Sequence, residues 1–191
     1  MVAAAAAGPG TVCPVPEDID VRRALDADAD GLIELIAGCW AEYPGTVMDV
    51  DGELPHLRAV DSAFRALGRL AWVAEAGGQV VGSVGLIPIT GADAAELRML
   101  YVRAAARRSG LGGRLLAVAE DEARRRGARR IQLWSDTRFT TAHRFYERRG
   151  PATRELHDLS ASVEYLFFKD LQERQANRES ASPARPSTSP P

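Results

Sequence analysis

The segment LRMLYVRAAARRSGLGGRLLAVAEDEARRRGARRIQLW, residues 97–134, restricts the fold more than any other part of the chain. It begins as an apolar extended run, with a strand expected over Ala95–Arg103. A basic, glycine-rich loop follows. Leu111, Leu115, Val118, Ala119 and Ala123 then recur at helical spacing to about Arg126, where Gly127 is placed to stop the helix. A second strand is expected over Arg129–Ser135, with Ile131 and Leu133 on one face and Gln132 and Trp134 on the other. A strand, a helix and a strand in this order make a crossover, so the two strands pair in parallel.

The flanking sequence has to fit that unit. Arg69–Ala76 and Gln79–Ile87 are valine-rich and separated by Gly77-Gly78, the spelling of an antiparallel hairpin. Upstream, a short strand is expected over Asp18–Leu25. Asp26, Asp28 and Asp30 suit a helix start, and Leu32, Leu35, Ile36, Cys39, Trp40 and Tyr43 carry the helix. An acidic loop (44–55) leads to a second helix over Pro55–Leu67. Downstream, a helix over Thr140–Arg149 ends at Gly150-Pro151, and two strands follow near 152–157 and 162–169. The expected fold is therefore α/β: a mixed, mostly antiparallel central sheet with one parallel β-α-β crossover and helices on both faces.

At 191 residues, 46% of them hydrophobic, the chain is sized for one domain with a real core. The expected division is a disordered leader over 1–16, a domain over 17–172 and a Ser/Pro-rich tail over 173–191. A net charge of −2 argues against a protein that coats nucleic acid. Arg124, Arg125 and Arg126 follow Glu120, Asp121 and Glu122 by four residues each, the pattern of a solvated, ion-paired helix face. No apolar run approaches the roughly 20 residues of a membrane span, and the opening lacks the positive start of a secretory signal. A cytoplasmic location is expected. Cys13 and Cys39, and likewise His56, His143 and His157, match no metal spacing, so no metal site is expected and both thiols are expected free.

The glycines of Ser109-Gly110-Leu111-Gly112-Gly113 precede or open a helix, whose first amides have no intrahelical partner and whose dipole is positive there. Such a terminus binds anions. Glycine lets a phosphate reach the backbone, and Arg103, Arg107 and Arg108 bring charge to the same place. A tight β-α turn that simply prefers glycine would read the same. Two nucleotide motifs fail: the dinucleotide fingerprint needs glycine where Leu115 stands, and no Gly-Lys-Ser/Thr run exists for a P-loop.

Arg107-Arg108-Ser109-Gly110-Leu111-Gly112 closely resembles the R/Q-x-x-G-x-G/A signature of the GNAT superfamily of acyl-CoA N-acyltransferases. The strand ELRMLYV before it and AHRFYERRGP after it, similar to that family's A-x-x-x-Y-x-x-x-G helix, extend the resemblance over about residues 18–170. The resemblance implies an acetyl-CoA-dependent N-acetyltransferase acting by direct attack in a ternary complex. It implies that Val102, Arg103, Arg107, Arg108, Ser109, Gly110, Leu111, Gly112, Gly113 and Arg114 hold the pyrophosphate, and that the adjacent strands splay around the pantetheine arm. It further implies Glu96 as the base that deprotonates the amine, the backbone N–H of Leu100 as oxyanion donor, and Tyr146 as the acid for the leaving thiolate. Alternation is expected to put Glu96, Arg98 and Leu100 on one side of the strand. A glutamate paired with Arg98 at a strand edge and a tyrosine packing beside Phe145 are the non-catalytic readings of the same residues.

Two departures stand out. Phe139 occupies the place of an asparagine that contacts the cofactor in the family, so Thr140 is the expected substitute, and Gly150-Pro151 replaces the usual Gly-Phe. In the family the first two helices and their connection wall the acceptor site. Here that stretch carries Glu42, Tyr43 and Asp49, with Met48, Asp51 and Glu53. Its carboxylates favour a small, cationic amine; a plain solvated acidic loop would look alike. Neither cysteine is expected near the site. Homodimers occur in the family, so a second copy of the chain stands among the candidate partners. The competing reading is a non-catalytic acyl-CoA-binding or sensing domain, which would need neither Glu96 nor Tyr146.

Overall fold

The computed structural model describes residues 18–149, 153–159 and 162–171. The expected leader, the expected tail, Cys13 and the Gly150-Pro151 helix stop lie outside the described residues. Strand β1 (Asp20–Arg23) leads through a 3-10 turn into α1 (Ala29–Trp40); a second 3-10 turn (Pro55–Ala59) leads into α2 (Val60–Arg65). Strands β2 (Leu70–Ala76), β3 (Gln79–Pro88) and β4 (Ala94–Val102) follow. Then come α3 (Leu111–Arg125), β5 (Arg130–Asp136), α4 (Thr140–Arg149), β6 (Thr153–Leu159) and β7 (Ser162–Asp170).

These strands form one seven-stranded sheet in the order β1-β2-β3-β4-β5-β7-β6. Every neighbouring pair is antiparallel except β4 and β5, the two ends of the crossover. The β2–β3 hairpin turns on Gly77 and Gly78, both at positive φ (56° and 78°), the conformation a two-residue turn of this twist requires.

The sheet carries a core on each face. On one, Leu32, Leu35 and Cys39 of α1 and Val60 and Phe64 of α2 pack on Ala71, Val73 and Val80. On the other, Leu111, Leu115, Ala119 and Ala123, one turn apart along α3, pack on Trp72, Ala74, Val84, Leu86 and Leu97. Burying each such leucine contributes on the order of 1.5–3 kcal/mol. The approach of α3 is close because β3 presents Gly82, where an added Cβ would lie 2.9 Å from Leu115 Cδ1. Helix α3 ends as its sequence indicates: Gly127 takes φ 82°, and the N–H of Ala128 donates to the carbonyl of Ala123 at 2.9 Å. Its basic end is ion-paired as the spacing implies, Arg124 to Glu120 at 3.3 Å and Arg126 to Glu122 at 2.6 Å.

Two boundaries differ from expectation for local reasons. β1 stops at Arg23 because Asp28, instead of capping α1 with its carboxylate, accepts from the N–H of Leu25 at 2.8 Å and from both terminal nitrogens of Arg22. The second helix splits into a 3-10 turn and a short α-helix, with Pro55 at its start and no side-chain cap at either piece.

Candidate active site

Strands β4 and β5 pair only over Ala94–Glu96 and Arg130–Gln132, whereas β5 continues along β7 to Asp136 and β4 continues along β3 to Val102. Beyond Glu96 the two parallel strands therefore part, and a cleft opens in the middle of the sheet. A bulge helps to open it. The β3–β4 register slips between Ser83 and Gly85, Met99 takes a left-handed φ of 51°, and the buried Ser83 hydroxyl donates to the Met99 carbonyl at 2.7 Å. A methionine held there costs about 1 kcal/mol or more.

The bulge also changes which way the side chains face. Ala95, Leu97, Leu100 and Val102 belong to the core beneath α3, while Met99 and Tyr101 belong to the core beneath α1. Glu96 and Arg98, alternating with Ala95 and Leu97, lie on the α1 face, so Leu100 points away from them. The expectation that Glu96, Arg98 and Leu100 share a side is corrected: one inserted residue reverses the alternation. Glu96 is ion-paired with Arg98, and its side chain is 14% exposed.

At the far end of the cleft the chain runs from Val102 through a 3-10 turn (Ala104–Ala106) into α3. Gly110 at the N-cap takes φ 86°, Arg108 takes φ 64°, and the Ser109 hydroxyl donates to the carbonyl of Ala106 at 2.8 Å. The N-cap Gly110 offers no side chain and no acidic residue occupies the first turn; the Leu111 N–H reaches the Ser109 hydroxyl at 3.4 Å, and the amides of Gly112 and Gly113 are left for an anion. An added Cβ at Gly110 would meet nothing within 4 Å; at Gly112 it would stand 3.2 Å from the ring of Phe145 in α4.

Most of the nearby arginines are already engaged. Arg107 reaches both carboxylate oxygens of Glu42 at 2.6 Å, donates through Nε to the Val102 carbonyl at 3.0 Å, and lies 3.8 Å from Cys39 Sγ. Arg103 pairs with Glu34 at 3.0 Å, and Arg114 donates to the Ile19 carbonyl at 3.0 Å. Arg108 has no partner among the described residues. Cys39, expected far from the site, sits against it instead: α1 crosses the end of β4 and puts the thiol 3.6 Å from the Val102 carbonyl. Burial pushes that thiol up, with Arg107 opposing.

Two tyrosines meet the cleft from opposite faces. Tyr146 of α4 packs among Phe145 and Phe167 (ring centroids 5.6 and 5.3 Å); burial holds its phenol well above the ordinary range, and Tyr101 adds to the effect. Tyr101 accepts from Trp40 Nε1 at 2.9 Å, and burial pushes it up to about 12. Phe139 stands 4.9 Å from Tyr43 and 6.3 Å from Trp40, joining α1 to the loop before α4 across the open end of the cleft. Thr140 is exposed at the first position of α4.

The carboxylates of the acidic loop are mostly spent at home. Glu42 holds Arg107, Asp51 pairs with Arg58 at 2.9 Å, and Asp49 accepts from the N–H of Gly52 at 2.8 Å, closing its own turn. His143 is buried, with its ring nitrogen 3.1 Å from the Ser135 hydroxyl and its ring against Tyr165 and Phe167; burial lowers its pKa. No group of three or more His, Cys, Asp and Glu able to hold a metal occurs among the described residues. No described helix is long and apolar enough to cross a membrane.

Sequence reasoning passed over Tyr101 and Trp40. Their only linear trace is an aromatic in the strand before the loop and another in the last turn of the first helix. The hydrogen bond between them spans 61 positions.

The sheet is thus parted at its one parallel pair, and the gap runs to the start of α3. The family model for the acetyltransferase (GNAT) family matches residues 32–150, and the chain belongs to that family. It is 31% identical over 139 residues, 71% of its own length and 83% of the relative's, to the uncharacterized N-acetyltransferase YjgM of Escherichia coli K12. Its fold is similar to that of a GNAT acetyltransferase from Staphylococcus aureus Mu50, with a TM-score of 0.70 at 19% identity over 81% of this chain and 100% of the other. It is also similar to the PaiA N-acetyltransferase of Thermoplasma acidophilum in complex with coenzyme A, with a TM-score of 0.62 at 20% identity over 80% and 99% of the two chains. The chain is accordingly an acyltransferase.

Proposed function

We propose that the protein transfers an acetyl group from acetyl-CoA to a primary amine, small and cationic, with both substrates bound together. The observation that carries this reading is the cleft between β4 and β5 ending on an uncapped, acid-free helix terminus. The residues there fit the donor. The amides of Gly112 and Gly113 would hold its pyrophosphate, and the missing side chains at Gly110 and Gly112 leave the backbone approachable. Acetyl-CoA, when bound, supplies the activated acetyl thioester.

The protein's own groups divide the remaining work. Tyr146 keeps its proton through the neutral range, because burial disfavours the phenolate; the O–H is therefore present to hydrogen-bond the departing thiolate as its charge develops, and any proton it gives up is regained at once from solvent. Glu96 receives the amine's proton, directly or through water, on the carboxylate oxygen that Arg98 leaves free. The Leu100 N–H, just past the bulge, donates to the developing oxyanion. Trp40, Tyr43, Phe139 and Tyr101 wall the acceptor side. With most of the acidic loop committed to its own pairs, these rings supply the preference for a cation.

The test is calorimetric titration with acetyl-CoA, with ATP and NAD as controls, followed by thiol-release assays with polyamines, aminoglycosides and peptide amines. Binding of acetyl-CoA alone, then turnover with one amine class, is the expected result. A chain that binds none of the three would overturn the donor assignment.

A further inference from the structure

The cations around the α3 terminus are not equivalent. Arg103 is neutralised by Glu34 of α1 and Arg107 by Glu42 just beyond it, and Arg114 is spent on a backbone carbonyl. Arg149, in the last turn of α4, has a guanidinium with no carboxylate or carbonyl partner among the described residues. Its position is nonetheless specific. A Cβ on Gly113 would lie 2.8 Å from its Nη2, 2.9 Å from its Cζ and 3.1 Å from its Nη1, so the fork lies in the space that glycine leaves on the first turn of α3.

An arginine at the end of a helix ordinarily serves its own free carbonyls. Here the carbonyl of Arg149 accepts from Lys169 Nζ at 3.4 Å, and the guanidinium extends to the neighbouring helix. That destination is the positive end of the α3 dipole, with no acid in the first turn. Charge of one sign gathered at such a place is unfavourable without an anion between its members.

We propose that Arg149 is a further cofactor-binding residue that takes a phosphate of the nucleotide end of coenzyme A, its fork matching two phosphate oxygens. This rests on the acetyl-CoA reading above. The pyrophosphate and the 3′-phosphate offer the same chemistry, and the ligands of the test separate them.

The experiment measures dissociation constants of CoA and dephospho-CoA for the wild type, Arg149→Gln, Arg149→Lys and Gly113→Ala, with melting curves as the fold control. Arg149→Gln should weaken CoA about tenfold or more, and Arg149→Lys less, since a point charge remains. A penalty that vanishes with dephospho-CoA assigns the 3′-phosphate; one that persists assigns the pyrophosphate. Gly113→Ala, which displaces the fork, should weaken CoA in the wild-type background but add little in Arg149→Gln. Binding by Arg149→Gln within twofold of wild type for both ligands overturns the proposal, as does a full Gly113→Ala penalty in that background. A wild-type protein that binds neither ligand defeats the acetyl-CoA reading itself, a different result from a wild type that binds while Arg149→Gln is unaffected.

Discussion

The two ends of the cleft are built by opposite means. The proposed phosphate end is local: the last residue of β4, a loop and the first turn of α3 follow one another in sequence, and backbone amides are the groups assigned to bind there. The proposed acceptor end is assembled from α1 and the turn after it, β4 and the loop before α4, through the Trp40–Tyr101 hydrogen bond and the Tyr43–Phe139 contact. An end made of backbone tolerates many side-chain changes and fails when a Cβ intrudes. An end made of side chains from distant elements should fail gradually, as individual contacts are removed.

The largest effect is expected where the backbone end is filled. Gly112→Trp should raise the acetyl-CoA dissociation constant more than ~100-fold, beyond the worth of one charge-assisted hydrogen bond, because the indole would occupy the anion's approach. Phe145 must also give way, since even a Cβ at this position stands 3.2 Å from its ring. Melting curves separate a folded non-binder from an unfolded chain, and a folded variant with unchanged affinity would break the comparison outright.

Next comes Tyr146, which joins the two ends. Tyr146→Phe should lower kcat by ~10²-fold with the acetyl-CoA dissociation constant unchanged, the signature of a group acting in proton transfer. Its pH dependence has a definite sign. In the proposed role the phenol works protonated, and burial raises its folded pKa, so its proton is held beyond the ordinary value of about 10. The kcat profile should therefore show no alkaline decline assignable to Tyr146 below about pH 10. A decline near 8–9 that disappears in Tyr146→Phe would contradict the buried, protonated acid.

That local-versus-assembled contrast also explains what could be read in the sequence. The crossover, the Gly77-Gly78 hairpin, the α3 stop at Gly127 and the glycine-rich turn into α3 are encoded by residues within a turn or two of one another, so pattern and spacing expose them. Helix α4 was bounded correctly at Thr140–Arg149 for the same reason. The bulge at Met99 left no trace, because a methionine at positive φ is imposed by the β3 partner and not by its own preference. Leu100 was accordingly placed on the wrong side of β4. The pairing of Arg107 with Glu42 joins residues 65 positions apart, so no local pattern announces it. Cys39 was set aside for the same reason.

Acceptor-side losses should be smaller and graded. Trp40→Phe keeps the ring contact with Phe139 but removes the N–H that Tyr101 accepts at 2.9 Å. A neutral hydrogen bond of this kind is worth about 0.5–1.5 kcal/mol, so KM for the amine should rise by roughly two- to tenfold, with acetyl-CoA affinity unchanged. A loss of donor affinity instead would mean that the two ends are not separable at Trp40.

The smallest effect is the most discriminating, because its sign decides a role. Glu42→Gln removes the carboxylate that holds Arg107 by two contacts of 2.6 Å, in a pair whose side chains are 30% and 35% exposed. At that exposure the pair should contribute only about 0.2–1 kcal/mol to stability. If Arg107 is the clamp that ties the loop to α1, its Nε on the Val102 carbonyl and its fork on Glu42, the substitution loosens the loop and acetyl-CoA binds slightly more weakly. If Arg107 is instead a phosphate ligand detained by Glu42, releasing it gives the anion a fresh cation and binding tightens, more so at low salt. The clamp is the expected outcome: Arg107 already places donors on a backbone carbonyl and two carboxylate oxygens, and leaving them would strand the Val102 carbonyl that orients the end of β4. Titration of Glu42→Gln with acetyl-CoA at low and high ionic strength reads the sign directly, and tightening would move Arg107 from the frame of the phosphate end into its binding surface.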